Sequence, residues 1–289
     1  MKILDFLFAF SDRKEIIFVD CEEDFQLFIE EIIFEKEIAI DTEFTWRDTY
    51  FPILNLIQIA TEKKIYLIDC LKLKDLKGLT QIFSNNKILK VLHSLRGDVT
   101  VLFFDQGLTL SNVFDTQIAE SFISNEKSLQ ISYKNLVKKY LLFDLGKKET
   151  NSNWGKRPLS ESQINYAADD VRHLLRIKKN QEVKINKLKL NEELYSCTNK
   201  EKSLGEKSFS EARLERHIKK YRNVSKEEIE IFKWRENQAE LKNTTPNKIF
   251  NDKNLKLIVK NLKLLEKRNE YNWLIPKKEI REDFFRKFL

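Results

Sequence analysis

Residues 38–44 read Ile38-Ala39-Ile40-Asp41-Thr42-Glu43-Phe44. Apolar residues, two of them β-branched, run straight into two carboxylates one residue apart, which reads as a short buried strand. Side chains alternate along a strand, so Asp41 and Glu43 leave the same face. Two anions on one face of a core strand repel each other and resist losing water, and no Lys or Arg lies on that face within the strand. A divalent metal answers both problems, because hard cations take carboxylate oxygens. The plain alternative is a strand end that reaches solvent. A lone Asp-x-Glu favours that alternative, and residues further along the chain decide between the two.

A chain of 289 residues suits one large domain plus a small one. Its 42% hydrophobic content can supply a core, and 6 Gly with 4 Pro leave little room for long disordered tracts. Cys21, Cys70 and Cys197 show no paired spacing, which argues against a disulfide framework or a zinc site and fits a reducing cytosol. The apolar start Met1–Phe10 is interrupted by Asp5 and lacks a small-residue cleavage site. No apolar run approaches membrane-spanning length. The expectation is a soluble, cytoplasmic protein with no membrane association and no obligate protein partner in evidence. The net charge of +7 is uneven: residues 1–199 carry 28 Lys and Arg against 30 Asp and Glu, and residues 200–289 carry 24 against 15. An acidic-leaning front and a basic tail suggest metal chemistry first and a polyanion grip second, although basic helix faces are also simply soluble.

Outward from the opening strand, Ile16–Val19 reads as a strand and a helix comes next, with Asp20 or Glu22 as its cap and Phe25, Leu27, Phe28, Ile32 and Ile33 as its apolar face. Past Pro52, Leu54–Ala60 and Ile65–Asp69 complete an antiparallel meander with residues 37–45. Leu76–Phe83 reads as helix, Ile88–His93 as strand, Val99–Gln106 as helix ended by Gly107, Asn112–Asp115 as strand and Thr116–Ile123 as helix. A meander followed by alternating strand and helix gives an α/β domain with a mixed sheet. Asp98, behind Gly97 at a helix start, is by itself an ordinary N-cap, and Asp115 is read as a cap as well. Ser160 with Gln163 forms a capping box that opens another helix. Its apolar stripe is Ile164, Ala167, Ala168, Val171 and Leu175. Tyr166 and Asp170 are four apart, on one face and off that stripe. They are either a solvated pair or one wall of a site.

The ordered set Asp41, Glu43, Asp98, Tyr166 and Asp170 resembles the DEDDy branch of the 3′→5′ exonucleases and, within it, the bacterial ribonuclease D family. The resemblance includes Asp41-Thr42-Glu43-Phe44, Thr49-Tyr50-Phe51-Pro52, Leu54 with Leu56-Ile57-Gln58, and His93 with Asp98. It continues through Asp115-Thr116-Gln117, Trp154, Arg157-Pro158-Leu159 and Tyr166-Ala167-Ala168-Asp169-Asp170-Val171. Each piece is weak alone and the order is specific. Two departures stand out: Thr150-Asn151-Ser152-Asn153 precedes Trp154 where an Asp is usual, and Arg96 lies where an acidic filler is expected.

The resemblance implies a ribonuclease H-like mixed sheet flanked by helices. It also implies that Asp41, Glu43, Asp98 and Asp170 hold two divalent ions, Mg²⁺ or Mn²⁺, for a two-metal hydrolysis. Tyr166 would orient the attacking water, since an ordinary phenol pKa near ~10 makes it a poor base. Phe44, Trp46 and Tyr50 are candidates to stack on bases, with core packing as the alternative. Arg96 and Arg157 are candidate substrate contacts. His93 reads as structural. The expected substrate is RNA with a single-stranded 3′ end, tRNA precursors foremost. A DNA exonuclease on the same fold and a non-catalytic RNA-binding protein are the rivals.

The domain reading is 1–199 for the exonuclease, 200–209 for a linker and 210–289 for a small all-α domain. Glu182–Asn199 is expected to continue a helix, and Asn199–Ser210, with Gly205 and three serines, marks the linker region. Trp234-Arg235, Ala239, Pro246, Ile249 and Leu255 resemble an HRDC domain, a small helical nucleic-acid-binding module. Lys219, Lys220, Arg222, Lys242, Lys248, Lys253 and Lys256 are plausible phosphate contacts or a solvated helix face.

Overall fold

The computed structural model describes residues 14–73, 75–126, 128–145, 149, 152–262 and 273–289. The apolar start Met1–Phe10, together with Thr150 and Asn151, lies outside the described residues.

Two compact units divide the chain. One runs to Thr45 and resumes over Ile53–Glu206; the other joins Trp46–Pro52 to Lys207–Leu289. In the first, six strands form one sheet: β1 (Glu15–Val19), β2 (Glu37–Thr45), β3 (Ile53–Ala60), β4 (Lys64–Asp69), β5 (Leu89–Leu92) and β6 (Val113–Asp115). Their order is β1-β4-β3-β2-β5-β6. β2, β3 and β4 pair antiparallel, as the meander reading expects. β1, β5 and β6 join in parallel. This is the mixed, ribonuclease H-like α/β sheet.

Helices cover both faces: α1 (Glu22–Ile32), the short α2 (Thr80–Phe83), α3 (Arg96–Gln106), α4 (Thr116–Ile123), α5 (Tyr133–Leu141), α6 (Glu161–Arg172), α7 (Leu174–Leu188) and α8 (Asn191–Gly205). On one face Ile38, Ile40, Ile57 and Ile59 pack with Phe28 of α1 and Val99 and Leu102 of α3. On the other, Ala39, Leu56 and Ala60 meet Ala167, Ala168 and Val171 of α6. Each fully buried Ile or Leu contributes about 1.5–3 kcal/mol, so strand alternation fixes which face meets which helix layer.

One irregularity interrupts that alternation. Glu43 pairs with Leu56 but Phe44 pairs with Leu54, so Asn55 is an extra residue on β3. The bulge lets Leu54 join the α1–α3 core while Leu56 joins the α6 core, although the two are two positions apart and would share a face in a regular strand.

Two expectations are corrected here. Residues 182–199 are not one helix: α7 stops at Leu188, where Lys189 turns left-handed at φ 57°. Residues 200–209 are not a linker, because α8 runs on to Gly205 and a new helix begins at Phe209. Gly205 marks close packing instead of flexibility. A Cβ there would lie 2.9 Å from Cγ1 of Val99, and the Gly205 carbonyl accepts from Thr100 Oγ1 at 3.0 Å.

Among its described residues, the regular elements of the second unit are helices: α9 (Phe209–Lys220), α10 (Lys226–Leu241), α11 (Asp252–Lys260) and α12 (Lys278–Phe288). Trp234 is its centre. The indole packs against Phe250 and Phe284 and donates Nε1–H to Asp283 at 3.2 Å. Arg235, beside it, is held by Asp252 at 2.8 Å. Among the described residues, no helix is long and apolar enough to cross a membrane.

Candidate metal centre

β2 delivers Asp41 and Glu43 to the face that α6 covers. α6 starts where expected, with Ser160 Oγ accepting from Gln163 N and Gln163 Oε1 accepting from Ser160 N. Ala167 and Ala168, both 0% exposed, bring the helix backbone close to the sheet. That approach places Asp170 opposite the strand. One carboxylate oxygen each from Asp41, Glu43 and Asp170 lies within 4.8 Å of the other two.

Asp98 arrives from the other layer, in the first turn of α3, and is buried. It stands outside the three-carboxylate group. Thr42, whose side chain alternates away from Asp41 and Glu43, donates Oγ1–H to Asp98 Oδ1 at 2.6 Å. Asp98 nevertheless acts on the group through its charge.

The electrostatics are one-sided. Burial pushes Asp41 well above the usual carboxylate range, and the charges of Asp98, Asp170 and Glu43 push the same way. Glu43 rises to about 9 through burial, then through Asp170 and Asp98. Asp98 rises to about 7, again through burial, with the Thr42 hydroxyl pulling it back in part. Among the described residues, Asp41, Glu43 and Asp98 form no ion pair. Such a cluster either holds protons or gathers a cation.

The residues present fit a divalent metal ion. The donors are hard oxygens, without the thiolates or imidazoles that favour zinc. Gln58 pairs with Asp41 across the β2–β3 ladder, so the two share a face. It is 0% exposed, and its amide finds no hydrogen-bond partner among the described residues. An unpaired buried amide beside a carboxylate group suits ordered water at an ion. In the sequence Gln58 stands out only as the end of Leu56-Ile57-Gln58.

Tyr166 lies one turn before Asp170 on α6, its ring 6.0 Å from that of Trp154. The remaining candidates separate clearly. Phe44 is partly buried against the α1–α3 core, beside Gly97. Arg96 is exposed and paired with Glu201 of α8, its Nε donating at 2.8 Å. Trp46 keeps 43% of its surface exposed, with its Nε1–H on the Tyr50 carbonyl.

Tyr50 and Arg157 do not meet the expectation of substrate contact. Tyr50 is 1% exposed. Its hydroxyl donates to Glu236 at 3.2 Å and the Arg213 guanidinium covers its ring. Arg157 spends all five of its donors internally. Nε and Nη2 grip Asp69 at 2.5 and 2.8 Å, Nη1 reaches the carbonyls of Trp154 and Lys156, and Nη2 also reaches Asn55. No donor is left for a phosphate.

His93 is structural, in hydrogen-bond contact with Thr116 Oγ1 and the Ile131 carbonyl. Asp115 caps α4 and also accepts from the amides of Ser94 and Leu95, which steadies the loop entering α3.

Comparison with known proteins bears on the family and the fold. The sequence model described as 3′-5′ exonuclease matches residues 16–186. Ribonuclease D of Desulfotalea psychrophila is 36% identical over 162 residues, covering 56% of this chain and 43% of that protein. This chain thus spans less than half the length of that curated relative. The crystal structure of Escherichia coli RNase D, described as an exoribonuclease involved in structured RNA processing, superposes with a TM-score of 0.77 at 25% identity, over 85% of this chain and 66% of that one. Brucella melitensis NrnC with bound Mg²⁺ shares the fold at a TM-score of 0.57 and 23% identity, over 66% of this chain and 92% of that one.

Proposed function

The chain belongs to the 3′-5′ exonuclease family, and on that premise we propose that it removes nucleotides from single-stranded 3′ ends of RNA, tRNA precursors foremost, in a divalent-metal-dependent hydrolysis. The observation that carries the proposal is the convergence of Asp41, Glu43 and Asp170, in which burial and neighbouring carboxylates push Asp41 and Glu43 up together. RNA in place of DNA is proposed from the likeness to ribonuclease D.

Asp41, Glu43 and Asp170 would hold two Mg²⁺ or Mn²⁺ ions, with Asp98 completing the set beside Thr42. When bound, such ions make water a nucleophile near neutral pH and neutralise charge at the phosphodiester. Tyr166 orients the attacking water by hydrogen bonding, its proton held at the phenol oxygen. Phe44 and Trp46 offer ring faces to the terminal bases. The basic helical unit is HRDC-like in this reading and binds the RNA backbone through its lysines. Lys248 is paired with Asp48 at 2.6 Å and Lys256 lies over the Tyr221 ring, so these two serve less well than Lys219 or Arg222.

The test is nucleotide release from a 3′-labelled RNA with a short single-stranded tail, in Mg²⁺, Mn²⁺ or EDTA. Wild type and Asp170→Asn are compared, with single-stranded DNA as a parallel substrate. Metal-dependent release from RNA that the variant loses is the expected result. Faster digestion of DNA would move the substrate class, and no release from either substrate in any metal would overturn the proposal.

A further inference from the structure

The helix that carries Asp170 ends two residues later, at Arg172, and α7 begins at Leu174. Nothing in the sequence demands a stop there: no Gly or Pro lies between Asp169 and Leu175, and the apolar stripe continues. An uninterrupted α-helix would have the amide of His173 donate to the carbonyl of Asp169. That rung is open. The Tyr133 hydroxyl occupies it, donating to the Asp169 carbonyl at 3.1 Å and accepting from the His173 amide at 3.3 Å. The His173 amide also turns to the Val171 carbonyl, and the regular ladder resumes with Ile177 on His173. A side chain inserted into the i→i−4 ladder is a recognised cause of a helix kink.

Tyr133 is well placed to act as a wedge. It is the first residue of α5, whose N-terminus is capped by Ser132. Its ring lies 5.7 Å from that of His93, which is itself held by Thr116 and Ile131. Burial raises the phenol from its ordinary value, and the charges of Asp170, Asp169 and Asp41 add to that rise, so the hydroxyl stays protonated and donating.

We propose that Tyr133 is a positioning residue for Asp170: by holding the Asp169–His173 rung open, its hydroxyl fixes the direction in which the Asp170 carboxylate meets Asp41 and Glu43. The inference rests on the metal-site reading above and adds a residue to it. Without the hydroxyl, the rung can close and α6 straighten into α7, which carries Asp170 away from its partners. If the rung stays open, two buried polar groups are left unpaired and the turn loosens. In both cases the geometry of the ion site relaxes. Removing a group that orients a metal ligand typically weakens binding about 10–100-fold.

Mn²⁺ binding to the metal-free full chain, followed by calorimetry and by electron paramagnetic resonance, tests this without relying on turnover. Four proteins are compared: wild type, Tyr133→Phe, Tyr140→Phe and Asp170→Asn. Tyr140 is the control for a lost tyrosine hydroxyl on the same helix, since its hydroxyl donates to Glu120 at 2.7 Å. The expected result is Mn²⁺ binding about 10-fold weaker in Tyr133→Phe and unchanged in Tyr140→Phe, whatever melting temperature each loses. In the RNA assay Tyr133→Phe should lower kcat, leave KM unchanged, and recover at high Mn²⁺. Wild-type Mn²⁺ affinity in Tyr133→Phe, or equal weakening in Tyr140→Phe, would overturn the inference. If wild type binds Mn²⁺ no better than Asp170→Asn, the metal-site reading fails and takes the inference with it.

Discussion

Asp69 and Asp41 are carboxylates on two strands of the same sheet, and the molecule treats them in opposite ways. Asp69, fully buried at the end of β4, receives a two-point grip from Arg157 and a backbone amide from Leu71. Glu120 is buried with Lys139, Tyr140 and Gln181 around it. Burial alone would raise its pKa, but those three partners outweigh burial and lower it. In the helical unit Glu236 has Arg213 and Tyr50. Each of these carboxylates draws its compensation from the chain itself. Asp98 is buried too, and Asp41 and Glu43 are half-buried, yet their strong charge neighbours are other carboxylates. Burying a charge without a partner is costly, so the second group is poised for a cation from outside. Burial of acid groups does not distinguish a site from a scaffold; the origin of the balancing charge does.

That contrast can be broken at several points. Asp41→Asn should reduce exonuclease turnover by about 10³-fold, if ion binding is worth several kcal/mol at the transition state. The same change should leave the melting temperature of the metal-free protein unchanged or higher, because a repulsion is removed. A large loss of stability would place Asp41 with Asp69. Asp69→Asn should do the reverse. Breaking a buried pair while leaving Arg157 in place costs about 3–5 kcal/mol, read by urea denaturation, with turnover per folded molecule retained.

Melting temperature against pH, with and without Mg²⁺, tests the sign. Groups whose folded pKa is raised stabilise the fold below their unfolded value and lose that contribution as pH rises through the folded one. Metal-free protein should therefore lose stability as pH rises from about 4 through about 7 for Asp98 and about 9 for Glu43. Mg²⁺ at 100 times its dissociation constant should restore about 2.7 kcal/mol at the alkaline end and less at pH 5, where protons compete. Glu120 has the opposite sign: its contribution is present above the unfolded carboxylate value and lost as pH falls through the lowered one. The smallest effect is expected from Tyr50→Phe. It removes one hydrogen bond to Glu236 and leaves Arg213 in place, for about 1 kcal/mol and no change in KM for RNA. A raised KM would return Tyr50 to the substrate contacts.

Much of the centre was legible because it depends on local periodicity. The two-residue repeat of a strand puts Asp41 and Glu43 on one face, and four-residue spacing on a helix puts Tyr166 beside Asp170. Ser160 and Gln163 announce the helix start. The break at Lys189 is a local left-handed turn, whereas the misreadings of Arg157 and Gly205 turn on partners far away in the chain. Arg157 reads as a substrate contact in the sequence, but its five donors meet Asp69, Asn55 and the carbonyls of Trp154 and Lys156. Gly205 looked flexible because Gly usually is, yet its missing side chain is what admits Val99. Tyr133 carries no motif, and only its contact with a backbone rung 36 residues away reveals it.

The extra residue at Asn55 has a consequence in the language of insertions and deletions. Loss of that one codon would let β3 pair with β2 without a break. It would also rotate Ile53 and Leu54 to the opposite face and withdraw the carbonyl that Arg157 holds. A frame-preserving deletion in the middle of a strand would thus be read by the protein as a reversal of inside and outside for everything on its upstream side. In an alignment of functional descendants, gaps should gather in the surface loops and leave this position filled.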